Sequence, residues 1–237
     1  MRLMKGGSYF MNLLIVNCSP RMVAKSNTNI IVQAFAEGYT KQGNTVDIYN
    51  LSEHGKWDII REAFYNNENI LFALPLFVEC IPGIMMEFLE TLSPKVNVEG
   101  RPITKLSFLL QGGFSEASQL RCGERYLEQL PGFLNCEYGG TLIKGSMFIT
   151  HMLPDAAAKS MVAPFTEMGE VFAKYGKFEK EKVDKFAAPE YYSKRFILLH
   201  TILSPINKLF FIVFFKKNGC RGSLSAQPYK KECSQKG

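Results

Sequence analysis

No two of the six cysteines lie within three residues of each other. The paired spacing that holds zinc, a redox dithiol or an iron–sulfur cluster is therefore missing. Cys18, Cys80, Cys122, Cys136, Cys220 and Cys233 read as free thiols in a reducing compartment, so a cytoplasmic location is expected. The three histidines, His54, His151 and His200, are too scattered for a metal set, and no metal is expected. No nucleophile–base pairing for hydrolysis stands out. Neither GxGxxG nor GxxxxGK[ST] occurs, which removes the dinucleotide fingerprint and the P-loop. The net charge of +6 is spread along the chain. A nucleic-acid binder gathers such charge on one face, so that class is set aside. The apolar run after Met1 to Phe10 is too short for a signal peptide, and those residues read as an upstream extension.

What is present is an ordinary globular composition, 46% hydrophobic and 21% charged, ample for a sizeable core. Two kinds of segment alternate. Asn12 to Asn17, Asn69 to Leu74 and Ile103 to Gln111 are short apolar runs of the kind expected for parallel strands buried on both faces. Thr45 to Tyr49 and Glu137 to Leu142 supply a second and a fifth strand. Between them, Ser26 to Gln42, Lys56 to Tyr65, Pro82 to Leu92 and Ser115 to Leu130 carry helical periodicity. Pro154 to Tyr175 is a long amphipathic helix whose pattern is interrupted near Pro164. This alternation predicts an α/β fold: a doubly wound five-stranded parallel sheet with helices on both faces. Ligands of such sheets bind outside the carboxyl ends of the strands, which directs attention to the loops after strands one, three and four.

The first of these loops runs Cys18-Ser19-Pro20-Arg21, then Ser26-Asn27-Thr28 opens a helix. Free N–H groups, hydroxyls and an arginine at a helix N-terminus suit a phosphate, although Ser26 or Thr28 would serve equally as a plain N-cap. The second, Pro75-Leu76-Phe77-Val78-Glu79-Cys80-Ile81-Pro82, suits an apolar wall for a flat ring; the alternative is a loop that buries Phe77. In the third, Gln111 to Glu116, Gly112 and Gly113 permit close backbone approach with Phe114 as a shield, and a tight turn would use the same residues.

CSPR…SNT followed by PLFVECIP resembles the NADPH-dependent FMN reductase and multimeric flavodoxin-like family, with its GSPR…NT phosphate loop and PLYxxxxP flavin loop. GFSEASQ…LEQLPGFLNCEYGGTLIKGSM and the near-terminal KKNGCRGSLSAQPY are similar to stretches of one NAD(P)H-dependent oxidoreductase branch. The resemblance implies a flavodoxin-like fold, non-covalent FMN, NAD(P)H as co-substrate, a small-molecule electron acceptor and a homodimer or homotetramer. It further implies that Ser19, Arg21, Ser26, Asn27 and Thr28 hold the FMN phosphate. Pro75, Leu76, Phe77 and Val78 would line the isoalloxazine, with Gly112, Gly113 and Phe114 on its far side. Cys18 stands where the family usually has glycine, and Phe77 where it usually has tyrosine. No catalytic side chain is assigned, because the flavin carries the chemistry.

The expected division is residues 11–178 as the FMN-binding domain and 179–237 as a C-terminal helical extension. Phe196 to Phe215 is the most apolar twenty-residue window in the chain. His200, Ser204, Pro205, Asn207 and Lys208 interrupt it, and a lysine at a bilayer centre costs roughly 2.5–3.5 kcal/mol. It reads as two helices packed on the domain or on a second subunit, with interfacial membrane contact as the lesser reading. The leading function is an FMN-dependent NAD(P)H oxidoreductase acting on a quinone, a nitro or azo aromatic, or free flavin. The alternatives are a flavodoxin-type electron carrier and a non-catalytic flavodoxin-fold module that binds a partner or a membrane surface.

Overall fold

A computed structural model describes residues 11–97, 99–217, 219, 220, 222 and 226. The extension Met1 to Phe10, Cys233 and most of the NGCRGSLSAQPY stretch lie outside the described residues. Two compact units emerge, one ending at Tyr191 and the other beginning at Tyr192.

In the first unit, β1 (Asn12–Asn17), β2 (Thr45–Asn50), β3 (Asn69–Pro75), β4 (Lys105–Gln111) and β5 (Glu137–Lys144) form one parallel sheet. Its order is β2-β1-β3-β4-β5. The order reverses at β1, so the loops leaving β1 and β3 part to opposite sides and leave a crevice between them. β1, β3 and β4 are almost wholly buried, which is why they read as unbroken apolar runs. Phe64, Phe72, Phe88 and Phe108 pack in mutual ring contact through this core.

The helices of this unit are α1 (Asn27–Thr40), α2 (Trp57–Asn66), α3 (Gly83–Glu90), α4 (Arg121–Phe133), α5 (Asp155–Tyr175) and α6 (Lys180–Ala187). α1 and α5 cross backbone to backbone: a Cβ at Gly38 would fall on the Thr166 carbonyl oxygen, and one at Gly169 on that of Phe35. α5 runs unbroken through Pro164, where the sequence pattern suggested an interruption. Burial of Val162, Phe165, Met168 and Phe172 on one side holds the helix across the missing N–H. The expected helix from Ser115 instead starts at Arg121, after a 3-10 turn over Ala117–Leu120.

The first unit extends thirteen residues past the expected boundary at 178. Arg121 on α4 explains this, because it binds Asp184 and Glu190 at 2.8 Å each as well as its own-helix neighbour Glu124 at 2.7 Å. Lys144 Nζ also donates to the Phe186 carbonyl at 2.6 Å, tying α6 to the end of β5. Among the described residues, the second unit contains two helices, α7 (Lys194–Ile202) and α8 (Ser204–Lys217).

Candidate functional site

The carboxyl edge of the sheet carries a cleft of about 320 Å³. Its floor begins where β1 ends. Buried Asn17 donates to Asn50 Oδ1 at 2.9 Å and accepts from the Ser19 N–H at 3.1 Å, turning the chain out of the sheet. The Ser19 hydroxyl accepts from the Arg21 N–H at 3.3 Å. Ser26 then caps α1, its Oγ accepting from the Asn29 N–H at 3.2 Å. Asn27 and Thr28, the first two residues of α1, line the cleft, and the first N–H groups of a helix have no partner within it.

The second wall follows β3. Pro75, Leu76, Phe77 and Val78 line the cleft. Phe77 and Cys80 exchange backbone hydrogen bonds at 2.9 and 3.0 Å, closing a two-residue turn. Val78 and Glu79 both sit at positive φ, 46° and 68°. For a β-branched residue this is a strained conformation costing on the order of 1–3 kcal/mol. The turn holds Val78 91% exposed and Phe77 48% exposed at the cleft mouth. Phe77 is thus not buried against the helices.

The third wall is Gln111, Gly112 and Gly113 at the end of β4. Gln111 Nε2 donates to Thr28 Oγ1 at 3.3 Å and its carbonyl accepts from the Leu76 N–H at 2.8 Å, so one residue joins all three loops.

Ten of the twelve residues singled out from sequence line this cleft: Ser19, Arg21, Asn27, Thr28, the run 75–78, Gly112 and Gly113. Ser26 does not, because its buried hydroxyl is spent on the helix cap. Phe114 does not line it either; its side chain is 71% exposed, and its carbonyl accepts from the Ser146 N–H.

Sequence reasoning missed Gln111 as a lining residue, and missed Phe148 and His151. The latter two belong to a 3-10 turn, Met147–Met152, after β5. Asn27 Nδ2 donates to the Phe148 carbonyl at 2.9 Å, while Asn27 Oδ1 accepts from the His151 N–H at 2.9 Å. His151 Nδ1 lies 2.8 Å from that same oxygen. An amide oxygen only accepts, so Nδ1 carries the ring hydrogen. Burial, then the nearby Arg21 charge, lower the His151 pKa. The available signal was position alone: the loop after β5 leaves the same sheet edge as the other three.

Cys18 is fully buried beneath the first loop, and burial pushes its thiol well above the ordinary range. It is a packing residue. Cys80 is exposed in the strained turn. Among the described residues, no group of histidine, cysteine and carboxylate side chains is placed to hold a metal.

No protein-family model matches this chain, and no curated protein matches it in sequence. Solved structures do match. The NAD(P)H:quinone oxidoreductase of Methanothermobacter marburgensis has a TM-score of 0.52 at 16% identity, over 68% of this chain and 96% of its own. An FMN-dependent NADH-azoreductase of Bacillus anthracis str. Ames Ancestor, solved with FMN, scores 0.51 at 14% identity over 71% and 100%. General stress protein 14 of Treponema denticola, also solved with FMN, scores 0.51 at 10% identity over 70% and 98%. At such identities the similarity is one of architecture, and the sheet order, the helical layers and these matches together make the fold flavodoxin-like α/β.

Proposed function

We propose that this protein binds FMN and acts as an NAD(P)H-dependent oxidoreductase, passing reducing equivalents to a quinone, a nitro or azo aromatic, or free flavin. The observation that carries this reading is the convergence of three loops, chemically different from one another, on one cleft.

The residues present fit the two ends of FMN. At one end lie Ser19, Arg21 and the first residues of α1, whose hydroxyl, guanidinium and backbone N–H groups are all donors, the set a phosphate dianion requires. At the other, Leu76, Phe77, Val78 and Phe148 offer apolar surface around backbone at Gly112 and Gly113. A Cβ at Gly113 would enter contact with Phe148 at 3.6 Å, narrowing that wall.

Bound flavin would supply the hydride and electron chemistry. The chain's own residues do the rest. Ser19 and Arg21 bind the phosphate, and Asn27, held by the Phe148 and His151 backbone, fixes the helix terminus beside them. Gln111 sets the Thr28 hydroxyl. The strained turn holds Phe77 and Val78 where they exclude water from a flat ring. No side-chain acid or base is needed, and none is assigned. Two structurally similar proteins were solved with FMN, which supports the cofactor. A homodimer or homotetramer, in a reducing cytoplasmic setting, completes the proposal: a second copy would cover the exposed Phe77, Phe114 and Phe148.

The test is oxidation of NADH and NADPH by FMN-loaded protein with quinone, azo and free-flavin acceptors. Turnover with at least one acceptor is expected. Tight FMN binding with no oxidation in any pairing would contradict the oxidoreductase reading and favour the non-catalytic module.

A further inference from the structure

α7 and α8 are apolar helices that are largely exposed among the described residues. No residue of α7 is buried, nor is any described side chain of α8. The exposure is not confined to one stripe. On α8, Ile206 and Val213 share one side, while Phe211 and Phe215 lie on the other, and all four are exposed. A helix packed on a globular partner is apolar over one face and polar over the opposite one. A helix apolar all round requires an apolar surrounding, which a bilayer provides without a matching surface.

Charge selects the kind of bilayer. From Tyr191 to Lys231 the chain has no Asp or Glu, yet it contains Lys194, Arg195, Lys208, Lys216, Lys217, Arg221, Lys230 and Lys231. A second copy of this segment would bring the same cations face to face, whereas anionic headgroups complement them. Tyr192, stacked on Phe196 with centroids 4.1 Å apart, stands beside the basic pair at the start of α7. Ring and cation together suit the headgroup level.

Length and shape determine the depth. At about 1.5 Å per residue, α8 reaches about 21 Å and α7 about 14 Å, each short of a hydrocarbon core of about 30 Å. Among the described residues no single helix is long and apolar enough to cross a membrane; α7 and α8 reach that length and composition only together, and they meet at a bend of 53°. We infer that the bent α7–α8 pair is a monotopic membrane anchor, embedding its apolar side chains within one leaflet of a membrane rich in anionic lipid.

The full chain, incubated with vesicles and sedimented, tests this. Wild type is expected to pellet with phosphatidylcholine–phosphatidylglycerol vesicles and far less with phosphatidylcholine alone. Lys216→Gln with Lys217→Gln should weaken partitioning on the order of 25-fold, about fivefold per charge. Leu209→Glu with Phe210→Glu should abolish it. All four side chains are exposed, so an unchanged thermal transition certifies the fold of both variants. Absence of wild-type protein from both pellets would overturn the inference. So would vesicle binding that both variants retain, or a dimer in lipid-free buffer that Leu209→Glu with Phe210→Glu converts to monomer while vesicles capture nothing.

Discussion

The sheet unit and the C-terminal helix pair are both rich in large apolar side chains, and they dispose of them in opposite ways. In the sheet unit, Leu13 to Val16, Ile70 to Leu74, and Phe108 to Leu110 in β4 lie at or near zero exposure between two helical layers. In the pair, Leu198, Ile202, Leu209 and Phe210 are all more than 60% exposed. Equal hydrophobicity thus signals two different things. In a strand flanked by helices it drives the chain to close on itself, and in α7 and α8 it leaves the chain a surface for something else.

The largest expected effect contrasts one phenylalanine from each region. Phe72→Ala empties a fully buried position and should cost about 3–5 kcal/mol in urea unfolding of the sheet unit. Phe210→Ala should change the same transition by less than about 0.5 kcal/mol. Similar costs at both positions would erase the contrast.

Next in size is the phosphate end of the cleft. Arg21→Ala should weaken FMN binding by about 1.5–3 kcal/mol, roughly 10- to 150-fold, with riboflavin affinity barely altered. Equal losses for both ligands in fluorescence titration would remove Arg21 from the phosphate. A smaller effect comes from the strained turn. Val78→Asn, which tolerates positive φ, should stabilise the sheet unit by up to about 1 kcal/mol, while loosening the wall of the cleft.

The smallest is a pH effect. The His151 ring is held below its ordinary pKa in the folded state, first by burial and then by Arg21. The unfolded chain therefore takes up its proton first. This contribution to stability is intact above the unfolded value of about 6.5 and is lost as pH falls below it toward the folded value. His151→Gln should flatten the dependence in that window, measured as the unfolding midpoint against pH.

Much of this contrast was legible in the residues. The runs Asn12 to Asn17 and Asn69 to Leu74 announce buried parallel strands because both their faces are covered. The three loops were found because a doubly wound sheet gathers ligands at one edge. Other features depend on contacts that no local pattern encodes. Pro164 stays helical because of what Phe165 and Phe172 touch. Ser26 and Thr28 look alike as hydroxyls, yet one is consumed by the cap and the other lines the cleft through Gln111. Phe148 joins the site through its carbonyl's bond to Asn27, across 121 residues of chain. Residues 179–191 belong to the first unit because Arg121 gathers carboxylates from two later segments.

The central claim, that the cleft between the loops after β1, β3 and β4 is an FMN site, is tested most directly by the visible absorbance of the purified protein. The spectrum would be recorded as purified, then after incubation with FMN and desalting. The account predicts a flavin spectrum that survives desalting and is lost in Arg21→Ala. A colourless protein that retains no FMN after incubation would contradict it.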